Sequence, residues 1–590
     1  MAEEFSPIPL TPPAGVLKTE SDRVVEGRWI DTQWMRFVSS RPQKMGGWVR
    51  QTTAISSGTL RQLHAWRDLQ SVEYMAGGTY RKLYVYERDF VQHDITPLAA
   101  SASLTNPFTT QVGRSIVSVA HFNHGRNAGD VVIYSGASAV GGLILNGTFE
   151  VVAANGSGGY TIDAGAPASS GATGGGTVSY QYEISIGVEL GVYGLGYGVG
   201  PYGIGTYGTA RSGSTIFIEP RIWSFDHFGK LLLAAYNGGS IYVWDPDKIP
   251  SFGRATRITQ APTDVRYMFV TEERFVMALC EGMRVDWCSQ SDFNTWVPDQ
   301  TNTANTRNLS EGTKLIAGKP LANHIACVWT DFALYIFQYT GSSSIFSTRL
   351  GGRNCGLVSP SCAVTVGNTA YWMGHTNFYL YNGAVQTIPN VDDIRDYVFD
   401  KLNTENAFLA WSEYLEKFNE IVWYYIAIGE TQPSYYALLC LNDFSWAIGR
   451  MIRTAGASFS HGDTRPYWAG ADGHIYLHEE GVDGDGAAVR ASIKLGPSSL
   501  QGGAQIFNID GINADFHGQS GDITATFTGW DRLRKATVDS ETVTITEDDD
   551  LIDLRLEGRY ISLELVTDVV GGYFRFGKPD VMVSSNGTRR

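Results

Sequence analysis

The residues best able to do chemistry in this chain are its glycine-rich strings, its close histidine pairs and its acidic clusters. Gly198-Val-Gly200-Pro-Tyr-Gly203 and Gly203-Ile-Gly205-Thr-Tyr-Gly208 both match G-x-G-x-x-G, the pattern whose glycines let a pyrophosphate approach a helix N-terminus. No apolar strand leads in and no helix leads out, so the match is read as accidental. Each Gly-Lys pair (Gly229-Lys230, Gly318-Lys319, Gly577-Lys578) is followed by Leu or Pro where a phosphate-cradling loop needs Ser or Thr. His121 with His124 and His474 with His478 are the close histidine pairs. On a strand, positions i and i+3 face opposite ways, and i and i+4 stand roughly 13 Å apart, so neither pair alone clamps a metal. Asp483-Gly-Asp485 begins like a calcium loop but lacks the third ligand and the closing Glu. With Asp392-Asp393 and Glu547–Asp550 it reads as a solvated turn.

Hydrolytic chemistry finds no better footing. A glycosidase needs two carboxyls at a set separation across a pocket, and Asp226, Asp245 and Asp292, read as turn residues, are not singled out by spacing. Gly456-Ala-Ser458-Phe-Ser460 ends in Ser where a nucleophile elbow needs Gly. Trp223, Trp244, Trp287, Trp296 and Trp446 could stack on sugars but are read as core packing. No catalytic, cofactor-binding or metal-ligating residue is therefore assigned, and no cofactor is implied.

The elements that would have to position such residues are strands. The 590 residues include 67 Gly, 30 Tyr, 27 Phe and 15 Trp; aromatics favour strands and Gly favours turns, which points to an all-β protein. Sixty acidic against 45 basic side chains give a net charge of −15. Tight phosphate binding needs clustered Lys and Arg, so nucleic acid near this protein is expected to slide rather than stick. Six scattered cysteines without a C-x-x-C pair suit buried, reduced thiols. The N-terminus has no apolar core of a secretion signal and no run of 18 apolar residues occurs, so neither export nor membrane spanning is expected.

A unit repeats along the chain: a short apolar strand, a Gly/Asn/Asp turn, and a second strand of type Φ-Tyr-Φ (Φ apolar), degenerate in some copies. EYMAGGTYRKLYVYERD is the first copy and LLAAYNGGSIYVWD the second; further copies are centred on Val285, Tyr335, Tyr379, Leu439 and Tyr476. From 242 onward the centres fall 37 to 60 residues apart, around the roughly 40 to 50 that one four-stranded propeller blade occupies. A single hairpin cannot bury its apolar face, whereas six or seven stacked radially bury one another. A β-propeller of six or seven blades is the expected core, with a long β-sandwich or a two-sheet meander as the alternative. Between the first two copies, residues 105–185 read as a small independent β module, followed by the Gly/Tyr string LGVYGLGYGVGPYGIGTYGTARSGS, read as a surface loop. Residues from about 487 alternate again (DITATFTGW, LIDLRLEG, YISLELVTD) and suggest a separate sandwich-like domain. The best helix candidate is 390–408, with Asn390 as its cap and Ile394, Tyr397, Val398 and Leu402 on one face.

Several strings, in their order along the chain, resemble the tail nozzle proteins of short-tailed bacteriophages, relatives of the packaged-DNA stabilisation proteins. They are GVLKTESDRVVEGRWIDTQWMRFVSSRPQKMGGW, RIWSFDHFGKLLLAAYNGGSIYVWD, VDWCSQSDFNTWVP and NCGLVSPSCAVTVGNTAYWMGHTNFYLYNG. The insert resembles a β module of other phage tail proteins. This likeness implies a domain order: an N-terminal arm joining a platform (1–60), a first blade (61–104), the inserted module (105–185), the Gly/Tyr loop (186–215), the remaining blades (216–486) and the C-terminal part of the platform (487–590). It also implies a virion structural protein without enzymatic activity. Six copies would form a ring below the portal and adaptor proteins, beside or above tail fibres, spikes or a needle. The ring would retain the packaged genomic DNA and let it pass at ejection, with no sequence-specific binding and no stable membrane insertion. Assembly in the host cytoplasm and residence in the virion tail follow from that reading. The Pro-rich start SPIPLTPPAG is a candidate docking arm. A propeller that binds or hydrolyses host glycans is the alternative function.

Overall fold

The computed structural model describes residues 6–18, 24–193, 217–248, 252–342, 344–460, 462–503, 506–531 and 539–585. Seven four-stranded antiparallel sheets follow one another around an axis. Blade 1 runs from Gln62–Arg67 to Gln92–Asp94, blade 2 from Trp223–Phe228 to Thr256–Arg257, and blade 3 from Val265–Val270 to Asn305–Asn308. Blade 4 runs from Leu315–Leu321 to Phe346–Arg353, blade 5 from Ala363–Val366 to Val385–Thr387, and blade 6 from Trp411–Leu415 to Trp446–Arg450. Blade 7 takes Ala455–Ala457, Tyr467–Ala469 and Ile475–His478 from late in the chain and its outer strand, Trp48–Arg50, from the start, with Val49 opposite Leu477. The first strand of each blade touches the first strand of the next, and blade 7 returns to blade 1, so the ring closes. The expected all-β propeller is what the chain forms, with seven blades.

Blades are covered on both faces, so their middle strands are apolar throughout rather than alternating. Val276–Cys280 and Glu420–Tyr425 are buried at every position, whereas the outer strand Asn305–Asn308 is mostly exposed. Tryptophans seal the seams: the Trp223 indole donates to the Thr79 carbonyl of blade 1 (2.9 Å), and Trp411 in blade 6 donates to the Arg453 carbonyl leading into blade 7 (2.8 Å). Such indole N–H bonds satisfy the polar edge of an otherwise apolar anchor.

The insert leaves and returns at one stem, where Leu98 pairs with Glu183, and its eight strands enclose a core of their own that includes Phe108, Val132, Tyr160 and Ile162. A platform of three sheets is woven from both chain ends. Ser6–Pro9 pairs with Asp580–Ser585, Trp29–Gln33 with Ala491–Ser499, and Arg41–Lys44 with Tyr573–Phe576. Its apolar side merges with the core of blades 3 to 6, so the C-terminal strands do not form a separate body. The Pro-rich start is thus engaged within its own chain as an edge strand.

The segment 390–408 differs from expectation. Only Arg395–Phe399 is α-helical, flanked by single turns at Val391–Asp393 and Ala407–Leu409. Asn390 sits at φ 56° and donates to the Phe444 carbonyl instead of capping. The apolar face is buried as the spacing required, but the chain then pairs with the edge of blade 6: Asn403 N–H bonds Ile426 and Ile428 N–H bonds Lys401. Those tertiary bonds replace the helical ones. Most of the Gly/Tyr string (194–214) lies outside the described residues; its flanks, Val192–Tyr193 and Phe217–Ile218, pair with each other.

Candidate functional site: the propeller axis and the platform joint

Propellers usually offer a ligand site at a mouth of the central tunnel, where the first strands of all blades converge. Here the mouth at which those strands begin is filled by the chain itself. Leu190, Ile222, Phe408, Leu409 and Ile426, from the approaches to blades 2 and 6, form an apolar plug across the axis. The Ser361 hydroxyl donates to the side-chain amide oxygen of Gln62 at 2.6 Å, joining blades 5 and 1, which are not neighbours. Ser359 donates to the carbonyls of Phe408 (2.9 Å) and Ala410 (2.6 Å), pinning the plug. At its rim Glu219 pairs with Arg266 and Lys314; burial works against its charge, but the two cations outweigh burial and hold its carboxyl below the usual range.

Further along the tunnel the side chains are polar. His64 of blade 1 faces His227 of blade 2, with 3.3 Å between Nε2 and Nδ1, and Asp226 lies beside His227. Burial first, then the neighbouring His227 and Lys319, push His64 down to about 3. Burial raises the Asp226 carboxyl and lowers the Lys319 ammonium, each against the pull of neighbouring opposite charge. Asp226 accepts the N–H groups of Val270 and His227, both at 2.8 Å, which fixes its orientation.

The second concentration of charge lies where the platform meets the propeller. Arg36, on the platform strand Met35–Val38, is fully buried between Glu420 of blade 6 (3.2 Å) and Glu479 beside blade 7 (2.7 Å), with the Phe418 ring 3.5 Å from its guanidinium carbon. Burial opposes the charge of Arg36, but the two carboxylates outweigh it and raise its pKa. One cation cannot hold both acids ionised in the interior: burial, partly offset by Arg36, lifts Glu420 to about 7. Around this group Trp34 N–H donates to the Tyr436 hydroxyl (2.8 Å), and Thr32 exchanges hydrogen bonds with Ile448 on the outer strand of blade 6. The joint is a rivet.

The residues singled out from the sequence lie apart from one another. His121 bonds the Tyr182 hydroxyl inside the insert, His474 bonds Thr52, and His478 accepts from Arg453, so the two histidine pairs serve packing and hydrogen bonding. Asp226 is on a blade strand rather than in a turn, because the first strand of blade 2 extends to Phe228; Asp245 lies near Lys230 and Asp292 bonds Thr295. Ser458 donates to Glu413 between blades 6 and 7. Asp483 accepts from Gly571 and Asp485 from Arg50, each tying down a neighbouring segment. The five tryptophans are buried, as the packing reading required. Nothing in the sequence flagged His64, Gln62, Ser361 or Arg36, because each acts through partners more than 150 residues away.

No protein-family model matches this chain, and no curated protein does either. Among solved structures, one neighbour is an endosialidase of phage phi92, with 9% sequence identity over 73% of this chain and 68% of that one, at a TM-score of 0.21. A likeness that loose carries no argument about this chain's fold or activity.

Proposed function

We propose that this protein is a structural component of a phage tail. Six copies form a nozzle ring that shapes the DNA exit channel, retains the packaged genome and lets it pass at ejection, without catalysis of its own. The observation that carries this reading is the way the subunit is closed on itself. The tunnel mouth where a propeller would hold a ligand is plugged by its own side chains, and both chain ends are locked to one flank. Such a body is suited to bearing load and to packing against copies of itself. Duplex DNA cannot thread a tunnel bridged by a 2.6 Å hydrogen bond, so a conduit would lie between subunits. A ring needs head-to-tail contacts that close by rotation, which rigid subunits favour. A net charge of −15 per chain would keep phosphates mobile in such a lumen. Portal and adaptor proteins above, and fibres, spikes or a needle around or below, are the partners this role requires.

Native mass measurement and electron microscopy down the symmetry axis test the proposal. A six-fold ring with an open lumen is expected. A monomer or trimer that cleaves glycans would overturn it, and a lumen lined by Lys and Arg would overturn the charge argument.

A further inference from the structure

The chain from blade 1 to blade 2 is unlike every other blade connection. Blade 1 ends at Asp94 and blade 2 begins at Trp223, so in the sequence the insert and the Gly/Tyr string separate two sheets that pack side by side. Within the tunnel at this seam, ligand atoms of His64, Asp226 and His227 all lie within 4.8 Å of one another. The facing imidazole nitrogens are 3.3 Å apart, and Nδ1 of His227 is 3.5 Å from Oδ1 of Asp226. A tetrahedral ion with bonds of about 2.0–2.1 Å holds its ligand atoms about 3.3–3.4 Å apart. The spacing is therefore that of a tetrahedral edge, and it is longer than an ordinary hydrogen bond.

We propose that His64, Asp226 and His227 form a zinc site that staples blade 1 to blade 2. Two imidazoles and a carboxylate are a borderline donor set that suits zinc; calcium and magnesium prefer oxygen alone. Outer contacts hold each ligand in place. The His64 ring stacks on Trp66 (centroids 5.8 Å apart, 21° between planes), and Asp226 is fixed by the Val270 and His227 amides. His227 is solvent-exposed, so water can complete the coordination. This inference is independent of the proposed tail role.

The test uses the full chain, stripped with chelator and titrated with Co²⁺ alone. One equivalent should produce the visible absorption of four-coordinate cobalt, Zn²⁺ should displace it, and Zn²⁺ should raise the melting temperature. His64→Gln and His227→Gln should each lose the absorption, whereas His324→Gln, in the separate exposed cluster with Glu272 and Glu273, should keep it. Cu²⁺-loaded wild type gives a readout that needs no variant: pulsed electron paramagnetic resonance should count two imidazole nitrogens. Absence of stoichiometric Co²⁺ binding, retention of the signal in both histidine variants, or a copper spectrum without imidazole coupling would each overturn the proposal.

Discussion

Ser361 of blade 5 reaches across the propeller axis to Gln62 of blade 1, 2.6 Å from hydroxyl to amide oxygen. The bond links the rim of the ring along a chord, so distortion of one blade is resisted by a blade on the far side. A neutral, partly buried hydrogen bond of this kind contributes about 1 kcal/mol. Ser361→Ala is expected to lower stability by that amount in urea denaturation. Because the proposed conduit lies between subunits, the same variant should leave ring formation and genome retention unchanged, as scored by electron microscopy and particle titre.

Arg36 stands between Glu420 and Glu479 with no solvent contact. Removing one member of a buried ion group strands the others, at a cost of about 3–5 kcal/mol. Arg36→Ala should therefore destabilise the chain strongly. Limited proteolysis should then cut first in the platform, since its strand Met35–Val38 loses the contact that anchors it to blade 6.

Glu413 is buried between blades 6 and 7 and is held by Ser458 and the Trp468 indole, yet burial dominates and lifts its pKa to about 7. A carboxyl that titrates near 7 when folded and near 4.5 when unfolded binds more protons in the folded state between those values. Its contribution is then full below about pH 4.5 and declines as pH rises toward 7, by about 3 kcal/mol at most. Glu413→Gln should flatten this part of the stability profile and equal or exceed wild type at pH 8, as chemical denaturation across pH 4 to 8 would show.

All six cysteines are buried free thiols, and burial pushes Cys288 and Cys327 up to about 12. Thiolate is the reactive form. A thiol-labelling reagent should modify none of them in the native protein and all six in guanidinium. Labelling of native Cys355 or Cys362 would show that the seam between blades 4 and 5 opens.

The blades were legible because their information is local. Each copy carries its own apolar strands and its own turn, and the Φ-Tyr-Φ strands around Tyr84, Tyr242 and Tyr379 are third strands of their blades, whatever lies elsewhere in the chain. The alternation of LIDLRLEG likewise emerged as a strand buried at every second position. What closes the ring was not legible. Trp48–Arg50 is three residues long and pairs with Ile475–His478 more than 400 positions away, a choice made by the geometry of the assembled blades rather than by any pattern in WVR. The helix at 390–408 was cut short for a related reason, since backbone groups offered by blade 6 competed with helical bonds. His64, Asp226 and His227 met only because strand register in two sheets put them at one height in the tunnel. Periodicity along the chain therefore determined the elements and their repetition, while side-by-side packing in three dimensions decided closure, the plugged axis and the Arg36 joint, because those interactions connect residues far apart in the sequence.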